Sequence, residues 1–190
     1  MSEPPAFACA RAALVYDDAA RPMILRFKHG DRMDFAMSLA RLMLGAGGDA
    51  LEGAELLVPI PLHLKRLRHR RFNQAAELAR CLSQLCSVEH APMALQRVRP
   101  TPPQGGLSRV ARAKNLSGAF RVRAGQAQAI KGRHVVLIDD VHTTGATLNE
   151  AARTLLSGGA AGVTALTVAQ ALPKHYTEDP FQSDHKDVYP

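Results

Sequence analysis

Apolar residues recur along this chain in two ways, as short unbroken runs and as stripes spaced by three or four positions. The runs at 56–60 and 135–138 are aliphatic and rich in branched side chains. Runs of that length suit parallel strands buried on both faces. The stripe Phe72, Ala75, Ala76, Ala79, Leu82 and Cys86 predicts an amphipathic helix over 72–86. Asn73 and Gln74 at its start read either as polar groups facing a ligand or as cap residues. The same reading gives a short strand at 11–16, helices at 20–29 and 34–44, and short strands at 94–97 and 119–123. A helix over 148–157 is stopped by Gly158 and Gly159, and a strand rich in valine and threonine follows at 162–171. Strands alternating with helices predict an α/β fold, with three layers, α/β/α, and a mainly parallel central sheet.

The run at 135–138 leads straight into Asp139 and Asp140, and then into Thr143, Thr144, Gly145, Ala146 and Thr147 ahead of the helix. In open parallel sheets, ligands sit beyond the carboxyl ends of the strands. Two carboxylates there can accept hydrogen bonds from vicinal sugar hydroxyls, or hold Mg²⁺ directly or through its waters. The N–H groups of residues 143–147 meet the positive end of a helix dipole, which suits a phosphate. Gly145 permits a positive φ or close backbone approach. The plainer alternative is a solvated turn with Thr144 or Thr147 as N-cap.

Two further segments bear on chemistry. After the run at 56–60, Pro59 and Pro61 end strand pairing and begin a rigid loop. Six basic or potentially basic side chains then fall between Lys65 and Arg71, a cluster that attracts pyrophosphate, nucleic acid or an acidic surface. Residues 97–115 hold Pro100, Pro102, Pro103, Gly105 and Gly106, which predicts a long flexible loop, functional or merely linking.

Composition narrows the partners. The net charge is +7 over 190 residues, which favours an anionic ligand. The length suits one domain with a sizeable core, taken as 1–173, and the polar 174–190 reads as a disordered tail. No apolar run is long enough to insert in a membrane, and no basic–apolar–small leader opens the chain, so a cytoplasmic location is expected. Cys9, Cys81 and Cys86 form neither a C-x-x-C pair nor a zinc spacing.

The segment 135–147 resembles the phosphoribosyl-pyrophosphate (PRPP) signature of type I phosphoribosyltransferases. The pattern Leu56-Leu57-Val58-Pro59-Ile60-Pro61-Leu62-His63, followed by the basic stretch and Phe72-Asn73-Gln74-Ala75, resembles the ComF family, as do Thr101, Gln104, Leu107, Arg109, Arg112, Asn115 and Ala119-Phe120 by their spacing. The resemblance runs from about 11 to 169. It implies a type I phosphoribosyltransferase-like fold with Mg²⁺ and PRPP. Asp139 and Asp140 would hold the ribose hydroxyls and the metal. Thr143, Thr144, Gly145, Ala146 and Thr147 would bind the 5′-phosphate. Pro61, Leu62, His63, Arg70 and Arg71 would lie near the pyrophosphate, and Gln104, Arg109, Arg112 and Asn115 would close over it. Lys28 and His29 resemble a position close to that site and read equally well as a solvated helix end. Many relatives have glycine where Arg71 stands. Many also carry an N-terminal four-cysteine zinc ribbon, and this chain begins where the ribbon would have ended, so no zinc is expected.

Two functions follow as expectations. One is Mg²⁺-dependent transfer of phosphoribosyl from PRPP to a nitrogen acceptor, with release of pyrophosphate. The other is a non-catalytic role, binding PRPP or single-stranded DNA in competence and DNA uptake. Stacking aromatics usual in single-strand binding are scarce, with Phe72 the one candidate beside the arginines.

Overall fold

The computed structural model describes residues 4–29, 34–63, 72–101 and 109–172, with the backbone alone at 29, 34, 109, 110, 112 and 113. The elements in chain order are β1 (Ala10–Val15), α1 (Ala20–His29), α2 (Asp34–Leu51), β2 (Leu56–Pro59), α3 (Gln74–Cys86), β3 (Glu89–His90), β4 (Leu95–Arg97), α4 (Arg109–Leu116), β5 (Phe120–Val122), α5 (Ala127–Ile130), β6 (His134–His142), α6 (Ala146–Ser157) and β7 (Gly162–Gln170).

Five strands form one sheet in the order β1-β7-β6-β2-β3, and every pairing in it is parallel. β4 and β5 form a separate antiparallel pair. Residues of β6 alternate between the two faces of the sheet, as strand geometry requires. Val135 and Leu137 join a core built with Leu148, Ala151 and Leu155 of α6 and with Leu95 and Phe120 of the small sheet. Val136 and Ile138 join the opposite core, with Ile24 and Phe27 of α1, Leu39 and Met43 of α2, and Leu78 and Leu82 of α3. The expected three-layer α/β/α arrangement around a parallel sheet is therefore present. Central position explains the unbroken apolar run: β6 lies between β7 and β2 with both faces covered, so neither face calls for polar residues.

The helices follow local chemistry with one exception. α3 starts where Asn73 accepts the Ala75 N–H at 3.2 Å, a side-chain cap on an otherwise orphaned donor. It ends at Ser87, which adopts φ 58°. α2 runs to Leu51, past the end expected at 44. The glycines at 45, 47 and 48 signal a stop locally, and the helix passes the first two and breaks at the third. Met43 and Ala50 are buried, and a Cβ on Gly47 would stand 3.6 Å from the Leu166 side chain of β7. The one break is Gly48, at φ 39° and ψ −126°.

The stretch 97–115, expected to be a flexible loop, is structured at both ends. Arg97 closes β4, and 109–116 form α4. No proline or glycine follows Gly106 until Gly118, and the alanines, arginines and leucine in between favour a helix. β3 and α5 had no counterpart in the expected elements, because pieces of two and four residues show no periodicity. The tail 174–190, the basic cluster from Lys65 to Arg71 and Gln104 lie outside the described residues, as do the side chains of Arg109 and Arg112.

Candidate functional site

β6 does not end at Ile138. It continues to His142, with Asp139 opposite Thr167 and Val141 opposite Ala169 of β7, so the acidic pair belongs to the last residues of a central strand. Strand alternation separates the two carboxylates. Asp140 follows Ile138 to the face covered by α1, and the Lys28 Nζ lies 3.3 Å from its Oδ2. Asp139 follows Leu137 to the face of β4 and feels the positive charge of Arg97. The backbone secures both groups. The Asp140 N–H donates to Asp139 Oδ1 at 2.9 Å, and the Val141 N–H donates to Asp140 Oδ1 at 2.6 Å.

Burial, and next the charge of Asp140, push the Asp139 carboxyl up to about 8; the Asp140 N–H, Lys28 and Arg97 pull against that rise. Such a pair favours any ligand that brings positive charge or hydroxyl donors. His142 shares a hydrogen bond of 2.9 Å between Nδ1 and the hydroxyl of Thr167, and burial holds its pKa below the ordinary histidine value. Burial thus favours the neutral ring, which the Thr167 contact fixes against β7.

The turn after β6 exposes Thr143 and Thr144, while Gly145 is buried. Gly145 is the N-cap of α6, at φ 71° and ψ 5°, a conformation that L-residues with a Cβ rarely adopt. Thr144 and Thr147 are thus not the cap. With glycine there, no N-cap side chain occupies the first N–H groups of α6. The N-terminal segment braces this turn from outside. The Ala6 N–H donates to Asn149 Oδ1 at 2.6 Å, the Phe7 ring lies 3.5 Å from where a Cβ on Gly145 would stand, and the Ala8 N–H donates to the Val163 carbonyl at 2.9 Å.

The loop after β2 leaves beside the acidic pair. The Ile60 N–H donates to the Ile138 carbonyl at 2.9 Å, and Pro61, Leu62 and His63 follow, all half-buried. Asn73 and Gln74 fasten three elements together at this point. Asn73 Nδ2 donates to the Ile60 carbonyl at 3.1 Å, and Gln74 Nε2 donates to the Lys28 carbonyl at 3.2 Å. Both serve as braces, and Asn73 is a cap as well.

Sequence reasoning missed Arg97, which it treated only as a loop boundary. Its guanidinium stands 5.4 Å from the centre of the Phe120 ring and donates to the Thr101 hydroxyl. The available signal was a cation closing a short strand just ahead of a proline-rich segment. Asn115 lies in α4, where its carbonyl accepts from Arg99 at 2.9 Å. Among the described residues, no group of three or more His, Cys, Asp or Glu side chains could hold a metal, so the protein's own contribution at β6 is two carboxylates.

An acidic pair at the end of a central parallel strand, followed by a glycine-capped helix N-terminus, marks a class that comparison with known sequences identifies. Residues 75–186 match the phosphoribosyl transferase domain. Over 153 residues the chain is 35% identical to the DNA utilization protein YhgH of Escherichia coli (strain K12), covering 78% of this chain and 66% of that one. It is 34% identical to the Competence protein F of Haemophilus influenzae, over 78% and 67% of the two chains, and 31% identical to the Competence protein ComFC of Bacillus subtilis (strain 168), over 85% and 64%. The chain belongs to the ComF family, within the type I phosphoribosyltransferases. It spans about two thirds of the length of the curated relatives it matches. Among solved structures, a glutamine PRPP amidotransferase from B. subtilis superimposes with a TM-score of 0.49 at 14% identity, over 75% of this chain and 30% of that one.

Proposed function

We propose that this protein binds PRPP with Mg²⁺ and transfers its phosphoribosyl group to a nitrogen acceptor. The observation that carries the reading is the placement of Asp139 and Asp140 directly ahead of the Gly145-capped α6 N-terminus. In this reading the two carboxylates accept hydrogen bonds from the ribose hydroxyls. The N–H groups and hydroxyls of residues 143–147 hold the 5′-phosphate. Pro61, Leu62 and His63, with Arg70 and Arg71, face the pyrophosphate, and Gln104, Arg109, Arg112 and Asn115 belong to the segment that closes over it.

The donor set fits Mg²⁺. A carboxyl raised first by burial and next by the charge of its neighbour gains from a dication, and Mg²⁺ commonly takes one or two carboxylates and completes its shell with water and substrate phosphates. When bound, the ion would neutralise charge on the diphosphate. In the reaction the bond between ribose C1 and the pyrophosphate oxygen breaks, and a bond from C1 to the acceptor nitrogen forms. Pyrophosphate leaves with its electron pair, and the acceptor gives up one proton. The protein's contribution is positioning and charge stabilisation. The three cysteines described are free, in keeping with a reducing compartment such as the cytoplasm. No helix among the described residues is long and apolar enough to cross a membrane.

Calorimetric titration with PRPP and Mg²⁺ tests this reading. The wild type is expected to bind, and Asp139→Asn with Asp140→Asn is expected to lose at least about 100-fold in affinity, as the loss of hydrogen bonds to charged groups implies, while remaining folded. Undiminished binding by the folded double variant would overturn the site.

The names of the relatives favour a second reading. Proteins called DNA utilization and competence proteins match over most of this chain, and its net charge of +7 suits a polyanion. In that reading the fold binds PRPP or single-stranded DNA as an accessory to DNA uptake, without turnover.

A further inference from the structure

Lys28 stands at the end of α1, and its ammonium meets Asp140 at 3.3 Å with little help from solvent: 18% of the lysine side chain and 14% of the aspartate side chain remain exposed. The backbone behind it is anchored. Its carbonyl accepts from Gln74, itself only 2% exposed, and the neighbouring Phe27 is buried against the edge of Phe72, with ring centres 6.2 Å apart. What remains movable is the lysine side chain.

We infer that Lys28 is a counter-ion built into the acidic crevice, which keeps free divalent metal out and yields when the metal arrives together with a sugar phosphate. The inference rests on the reading of Asp139 and Asp140 as the PRPP site. The two arriving species differ in what they leave behind. A lone dication reaching Asp140 must displace the ammonium from the one ion pair that Lys28 makes among the described residues, and it brings no anion to replace that partner. An uncompensated buried charge is strongly unfavourable. A dication bound to a diphosphate brings surplus negative charge, so the displaced ammonium finds a phosphate oxygen to pair with. Lysine suits such an exchange, because its charge is a point at the end of a flexible four-carbon stem. Arg97 adds to the exclusion from the opposite face, since its positive charge acts on Asp139.

Mn²⁺ serves as the probe, since it shares the oxygen preference of Mg²⁺ and is counted directly by electron paramagnetic resonance. The full chain is titrated with Mn²⁺ alone and again with PRPP present. Wild type is expected to bind Mn²⁺ weakly alone and at least about tenfold more tightly with PRPP. Lys28→Met, which keeps the apolar stem, is expected to bind Mn²⁺ alone at least about tenfold more tightly than wild type, the scale of relieving one close charge repulsion, and to lose affinity for PRPP. Lys28→Arg retains the charge and should keep free-metal binding weak.

Equal Mn²⁺ affinity in wild type and Lys28→Met would overturn the inference while leaving PRPP binding, and hence the functional reading, in place. If Lys28→Met does not fold, wild type alone still decides: Mn²⁺ binding as tight without PRPP as with it would overturn the inference. If wild type binds no PRPP with Mn²⁺ at all, the functional reading and the inference fail together.

Discussion

Asp139 holds its proton far more tightly than a free carboxyl does, and that has a sign that can be measured. Burial first, and the Asp140 charge second, lift it to about 8 from an ordinary value of 3.8. Between those two values the native state binds more protons at this position than the unfolded chain. Stability contributed here is therefore present at low pH and falls as pH rises through the window. In chelator-treated protein, urea unfolding at pH 5, 6.5 and 8 should show a decline on the order of 1 kcal/mol per pH unit from this group. Asp139→Asn should flatten that decline and be the more stable protein at pH 8. Parallel pH profiles for the two proteins would show that the strain is not at Asp139. Residues of this kind were legible in the sequence because type and order alone carry the message: an aliphatic run, two acids, then threonines and a glycine. Their cationic partners were legible only in part. Lys28 offered two equal readings, and Arg97 looked like the edge of a loop. Each reaches the pair from an element remote in sequence, on opposite faces of the sheet.

The element that most constrains the site is the turn between β6 and α6. Gly145 takes a left-handed conformation with the Phe7 ring against it. Gly145→Ala places a Cβ at ordinary contact distance from the ring, so the expected penalty is conformational, about 1 kcal/mol, and binding of a phosphorylated sugar should weaken further as the turn relaxes. Thermal unfolding with and without PRPP separates the two effects; an unchanged melting temperature and affinity would show that the turn tolerates the Cβ. At this scale the sequence reading was best for elements with a complete local signal. α1 begins and ends at its expected residues, and the helix expected over 72–86 is present as α3. It was poorest at the end of α2, where the helix passes the glycines at 45 and 47 and breaks only at Gly48. In 97–115 the prolines at one end obscured the helix-forming residues at the other.

For the molecule as a whole, alternation of strands and helices implied a parallel sheet but not its strand order. The order β1-β7-β6-β2-β3 puts the last strand next to the first, and no local pattern encodes such distant partnerships. Charge is the other property of the whole chain. With a net +7, non-specific attraction to polyanions is expected, and its salt dependence distinguishes general attraction from a defined surface. If the DNA-binding reading holds, the affinity for single-stranded DNA should fall steeply with salt. Replacing Arg66, Arg68, Arg70 and Arg71 with serine should then reduce the slope of log K against log salt by about 0.7 for each phosphate that is no longer neutralised. An unchanged slope, measured by fluorescence anisotropy, would count against that cluster as the place where DNA binds. The N-terminal strap has a practical corollary as well. Ala6 is fastened to Asn149 of α6, and Phe7 leans on Gly145, so tension applied ahead of residue 6 is transmitted straight to the turn at the start of α6. If that turn holds the 5′-phosphate, a purification tag fused ahead of residue 6 acts on the binding site itself, and ligand affinities measured with and without the tag should differ.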